Sequence, residues 1–112
     1  MSLQYEDVVP VDKEKAAQTF QSNDSDKIVH AMLGVTYHES DWEWVQEWCL
    51  RFLDSTDPAL RNVAIICLGH LARIHKKLDK TKVVSALRSH LKEPEYAGRI
   101  ENALEDIEMF AK

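Results

Sequence analysis

Any acid–base, metal or nucleophilic chemistry would fall to histidine, cysteine and carboxylate side chains, and the chain holds five histidines, two cysteines and nineteen carboxylates. Their spacing builds none of the arrangements that such chemistry needs. His70 and His75 are five residues apart, so on a helix they do not share a face as a four-residue spacing would. No His-Glu-x-x-His, Cys-x-x-Cys or His-x-Glu pattern occurs. Cys67 and His70 form a helix-face pair that His90 could complete as a metal set. The simpler expectation places His70 at the margin of an apolar stripe, hydrogen-bonded to a neighbour. A hydrolytic or nucleolytic site would need a second catalytic group beside a histidine, and none stands out. The three glycines lie far apart, which leaves no glycine-rich phosphate loop. The chain is therefore expected to be non-enzymatic, with no cofactor and no metal.

Binding chemistry is better represented. The run His38-Glu39-Ser40-Asp41-Trp42-Glu43-Trp44-Val45-Gln46-Glu47-Trp48 packs three tryptophans into seven residues. Trp42 is expected in the core, and Trp48 in the core or between repeats. Trp44 points nearest the polar side, close to Glu47 and Arg51, where it either covers a neighbouring loop or anchors an interface, a role tryptophan often fills. Glu43, Glu47 and Asp54 form an acidic row beside it, with Glu39 and Asp41 just ahead. A second set, Glu101, Glu105 and Glu108, marks one face of the last helix. Such rows give fast, salt-sensitive association with a basic partner.

Charge is unevenly spread behind the net value of -5. Residues 1–57 hold twelve acidic and four basic side chains, 58–92 one acidic and eight basic, and 93–112 six acidic and two basic. Arg73, His75, Lys76, Lys77, Lys80, Lys82, Arg88 and Lys92 make up the basic block, read as a solvated face with cations favourably placed at a helix C-terminus. Nucleic-acid binding through residues 73–92 is the weaker alternative, because acidic segments flank the block and no aromatics interleave with it.

The elements that must position these residues are helical. At 112 residues, 45% apolar and 29% charged, one domain over 1–112 is expected. Three glycines and three prolines argue against a sandwich or barrel. No run approaches the ~18 apolar residues of a membrane span, and residues 1–10 carry Glu6 and Asp7 without an apolar core, so neither a span nor a signal peptide is expected and a cytoplasmic location follows by default. Residues 1–11 read as a lead-in from which Val8, Val9 and Val11 could dock. Helices are expected over about 12–20, 24–37, 41–53, 57–77, 80–92 and 95–111, with Asp12, Asp24 or Ser25, Ser40 or Asp41, and Asp57 as caps.

The helix opening at Asp57-Pro58 is apolar on more than one side. Leu60, Val63, Ala64, Cys67, Leu71 and Ile74 form its stripe, with Ile66 at the edge and Ile65 and Ala72 well outside. That girth predicts burial between other helices. Gly69, which costs about 1 kcal/mol in a helix relative to alanine, predicts a close crossing. Cys49 and Cys67, both on apolar faces, are expected as reduced core thiols, since a cytosolic compartment disfavours pairing them.

Pro58-Ala59-Leu60 aligns with Pro94-Glu95-Tyr96, 36 residues later, and Ile28-Val29-x-x-Met32-Leu33-Gly34 with Val63-Ala64-x-x-Cys67-Leu68-Gly69 at an offset of 35. A period near 36 with two helices per repeat implies a short α-solenoid, with repeats at about 12–37, 41–77 and 79–111. Asp57-Pro58-x-x-Arg61-x-x-Ala64-x-x-x-Leu68-Gly69-x-Leu71 resembles the second-helix signature of HEAT repeats. The match is fullest over 41–77. Over 79–111 Ala97 replaces the arginine and no glycine follows Leu104, and over 12–37 only the apolar positions and Gly34 agree. The resemblance implies an all-α stack of about three HEAT-like hairpins, six helices, with a concave partner-binding inner surface. In size, acidity and repeat pattern the chain also resembles small HEAT-like bacterial immunity proteins of contact-dependent toxin systems. That implies a monomer that neutralises a basic protein, a cognate nuclease toxin, by covering its nucleic-acid surface. The contact residues would be Glu39, Asp41, Glu43, Trp44, Glu47, Trp48, Asp54, Glu101, Glu105 and Glu108. A generic HEAT-like adaptor or assembly factor is the alternative.

Overall fold

Six α-helices make up the computed structural model, which describes residues 12–111: α1 (Lys13–Phe20), α2 (Ser25–His38), α3 (Trp42–Leu53), α4 (Pro58–His75), α5 (Lys80–Arg88) and α6 (Pro94–Phe110). No strand occurs among the described residues, and the fold is all-α as expected. The expected lead-in, with Val8, Val9 and Val11, lies outside the described residues.

One device starts five of the helices. The carboxylates of Asp12, Asp24, Asp41, Asp57 and Asp79 accept backbone N–H bonds at 2.9–3.3 Å from Lys15, Lys27, Trp44, Ala59 and Lys82. Each satisfies an amide that the helix itself leaves open. α6 starts differently: Pro94 takes the first position, and Glu93 makes no side-chain cap. The ends are shorter than expected in two places. α5 stops at Arg88 instead of running to about 92. There Ser89 donates to the Ala86 carbonyl and His90 and Leu91 close tight turns on Leu87 and Arg88. α4 stops at His75 because Lys76 turns left-handed, with φ 58°, and bonds back to Ala72.

The helices pair as hairpins, α1 on α2, α3 on α4 and α5 on α6, and α4 also packs between α2 and α6. Three pairs stack into a body of 32 × 29 × 28 Å, too few to develop a long concave arc. α4 is covered on three sides. Ile65 and Ala72, outside its main stripe, are 1% and 0% exposed. Ile74, expected in the stripe, is instead 38% exposed, alongside Ile66 at 41%. Its angular position is within the stripe, but it lies in the last turn of α4, which ends at His75, and it lines an open cleft there with His70, Arg73 and Phe110. Trp42 also departs from expectation, being half-buried against the core instead of inside it.

The two buried polar side chains, Thr36 and Gln46, are both hydrogen-bonded, while the buried Asn62 Oδ1 has no partner among the described residues. Thr36 donates to the Met32 carbonyl at 2.7 Å, and Gln46 accepts the Asp79 amide at 2.8 Å, tying α3 to the start of α5. Cys49 and Cys67 are free, fully buried and in contact between α3 and α4. Burial, then the bond to Cys67, pushes the Cys49 thiol up.

Gly69 lies at the α4–α6 crossing. A β-carbon there would stand 3.5 and 3.6 Å from Ala103, which is ordinary contact, and 3.2 Å from the Asp106 carboxylate. Asp106 is the far end of a flexible, half-buried side chain and can give way. Gly69→Ala is therefore expected to hold or raise the melting temperature, through up to about 1 kcal/mol of helix propensity. Gly69→Leu should lower it, because a longer side chain has Ala103 in its path. Thermal melts followed by far-ultraviolet circular dichroism distinguish the two.

Candidate functional site

Four surfaces gather polar or aromatic side chains. The first is the α1–α3 seam. Phe20 of α1 inserts among Trp44, Trp48 and Phe52, with ring centroids 6.1, 4.8 and 5.6 Å away. Trp44 and Trp48 are thereby half-buried, and edge-to-face and offset contacts of this kind add to the area they bury. Trp44 has Lys13 5.3 Å from its ring, while Arg51 lies 4.7 Å from Trp48. The expected neighbour of Trp44, Arg51, thus sits on the other tryptophan, because α1 occupies the space beside Trp44.

The carboxylates around that seam are largely engaged within the chain. Asp41 pairs with Lys13 at 2.8 Å, and the bond from Lys13 holds its carboxyl below the usual range. Glu39 accepts the Asp41 amide at 2.8 Å. Glu47 pairs with Lys82 at 3.0 Å, and Asp54 meets His90 at 3.1 Å. Glu43 is exposed and has no ion pair among the described residues.

The second surface is the outer face of α6. Glu101, Glu105 and Glu108 are exposed, with no ion pair among the described residues. Spacings of four and three put them on one face. They rim a groove of about 370 Å³ whose other lining residues are Val84, Arg88, Leu104 and Ile107.

The third is a polar cluster that the spacing of its members hides in the sequence. Arg61 donates to Glu93 at 2.8 Å, and its guanidinium lies 4.7 Å from the Tyr96 ring. His90 presents one ring nitrogen to Asp54 and the other to Glu93 and Arg61. Asp54, Arg61, His90 and Glu93 tie the end of α3 and the start of α4 to the α5–α6 connection. The His90 side chain is only 15% exposed and turned inward onto these partners, so the cluster is a latch. The bond from His90, followed by that from Arg61, holds the Glu93 carboxyl below its ordinary value of 4.5. A carboxyl lowered in the folded state contributes stability that is present above that value and lost as pH falls through the folded one. Glu93→Gln should therefore show a smaller loss of stability than the parent between about pH 6 and pH 3, and lower stability at the upper end. Urea unfolding across that range checks it, and coincident acid limbs would show the carboxylate to be idle.

The fourth is the exposed arc of α4 with the flanks of α2 and α6. A cleft of about 500 Å³ is lined by Tyr37, His38, His70, Arg73, Ile74 and Phe110. His70 packs beside Tyr37 at 5.4 Å, and burial, with Arg73 nearby, lowers its pKa. Arg73 and Lys76 both lie over Phe110, at 5.9 and 4.8 Å. An adjoining niche between α4 and α6 is lined by Ile66, His70, Arg99, Asn102 and Asp106, among others.

The weighed combinations separate in space. His90 belongs to the latch and Cys67 faces Cys49, so the two do not join His70; among the described residues no three His, Cys, Asp or Glu side chains are placed to hold a metal ion. The basic block does not form one patch either. Lys82 turns to Glu47, Arg73 and Lys76 turn to Phe110, and His75 reaches the Thr36 carbonyl at 3.3 Å. No helix among the described residues is long and apolar enough to cross a membrane.

No family model matches the chain, and no curated protein sequence does. Among solved structures, a chain in the crystal structure of a CDI complex from Cupriavidus taiwanensis LMG 19424 is similar to this one. The two superpose with a TM-score of 0.85 and 26% identity, over 97% of this chain and 96% of that one.

Proposed function

We propose that the chain is an immunity protein of a contact-dependent inhibition system, a non-enzymatic cytoplasmic monomer that binds and neutralises a toxin domain. The observation that carries the reading is the likeness, over nearly the whole length of both chains, to a chain of a CDI complex. Such systems pair a toxin with an immunity protein. The immunity role suits an acidic chain of net charge -5 better than the toxin role, since a protein acting on nucleic acid neutralises phosphates with lysine and arginine.

The partner is a basic nuclease toxin, and carboxylates cover its phosphate-binding surface. The main contact is the α6 face, because Glu101, Glu105 and Glu108 are exposed and in no ion pair among the described residues, with only Arg88 as a cation lining the groove beside them, whereas Asp41 and Glu47 already hold Lys13 and Lys82. Glu39, Glu43, Trp44, Trp48 and Asp54 extend the acidic, aromatic surface at the α3 edge. Titration calorimetry with the purified toxin domain of the contact-dependent inhibition system that the reading assigns to this chain tests it. A one-to-one complex that weakens steeply with salt is expected. No complex at micromolar concentrations would refute it.

A further inference from the structure

The cleft on the α2–α4–α6 face differs in chemistry from the acidic surfaces. None of its six lining side chains is a carboxylate, and Arg73, His38, His70 and Tyr37 supply its polar groups. Its walls are Ile74 and Phe110, and Ile66 extends the apolar strip along α4 into the adjoining niche. Ile66 and Ile74 are two of the three large apolar side chains left exposed among the described residues, and both belong to this face. Lys76 and Arg73 sit over the Phe110 ring, and Arg99 stands at the niche with Asp106, the one carboxylate in either lining. At about 500 Å³ the cleft is of a size that takes several side chains.

We infer that this cleft is the seat of an acidic segment of the same toxin partner, a carboxylate side chain flanked by apolar residues. The inference rests on the proposed immunity role. The carboxylate meets the Arg73 guanidinium, whose planar donor array fits it, and the apolar neighbours cover Ile66, Ile74 and the Phe110 ring. Charge complementarity selects that occupant: a basic segment would face Arg73, Lys76 and Arg99 with only Asp106 to oppose them. A protein that presents an acidic row on one side of α6 and a basic, apolar cleft on the other reads two features of its partner at once. That fixes orientation and rejects partners that carry the basic surface alone.

The test uses the full chain and the purified toxin domain. Ile66→Glu with Arg73→Glu alters two exposed positions, and circular dichroism confirms the fold. The double variant is expected to weaken the complex by about 30-fold or more, and a toxin carboxylate→Lys change should restore part of the loss. If the double variant is unstable, Arg73→Gln alone should weaken the complex about 5- to 10-fold and lower its salt dependence. Equal affinity of parent and folded variant overturns the inference and leaves the immunity role standing. Failure of the parent itself to bind the toxin domain overturns the immunity role and, with it, this occupant.

Discussion

Leu68→Ala is expected to destabilise the protein by about 2–5 kcal/mol, the upper range for burial-dependent truncations. Leu68 is 0% exposed in α4, and α4 is packed on by α2, α3 and α6. With helices on three sides, the cavity left by the lost methyl groups has no free wall that can collapse into it. At roughly 4–8 °C per kcal/mol for a chain near this size, the melting temperature should fall by about 10 °C or more. Ile66→Ala, two residues away on the opposite side of the helix and 41% exposed, should cost well under about 1 kcal/mol. Similar losses from the two changes would contradict the placing of α4 as the rung between two others.

The second large effect concerns binding. Replacing Glu101, Glu105 and Glu108 together by lysine alters three exposed positions on one face of α6, so the fold should persist. Against a basic toxin the change turns attraction into repulsion. Association is expected to slow by about 10- to 1,000-fold at low salt, with the difference shrinking as salt rises. Stopped-flow fluorescence at two ionic strengths measures it. The matching reversal of Asp41 and Glu47 should have a smaller effect, because Lys13 and Lys82 already offset those charges. If the α3 reversal proves the stronger, the contact lies on the tryptophan side.

The helices were legible because their signals are local. Asp12 and Asp57 cap where expected, Asp41 is the one of Ser40 and Asp41 that caps α3, and the apolar stripe of α4 reports its own burial. Where an element's end depends on distant residues, the sequence is silent: α5 closes at Arg88 as its connection folds back and His90 turns to Asp54 and Glu93. The same limit governs the surface. Glu43, Glu47 and Asp54 are a credible acidic row on the helix itself, but Lys82 lies 35 residues from Glu47 and His90 36 from Asp54, and only the packing of hairpins brings them together. Trp44 and Trp48 gain their partner Phe20 in the same way. The α2–α4–α6 cleft draws on residues 37–38, 70–74 and 110. What hinted at it was the placement of Ile66 at the edge of the α4 stripe and the concave face implied by the HEAT resemblance. Ile74, counted into the stripe, concealed it.

The immunity role is tested most directly by growth. The toxin domain of the system that the reading assigns to this chain is expressed from an inducible promoter in cells that do or do not carry the chain. The account predicts that the chain restores growth and that the lysine variant of Glu101, Glu105 and Glu108, present at the same level, does not. Growth arrest that persists with the parent chain abundant and folded would contradict it.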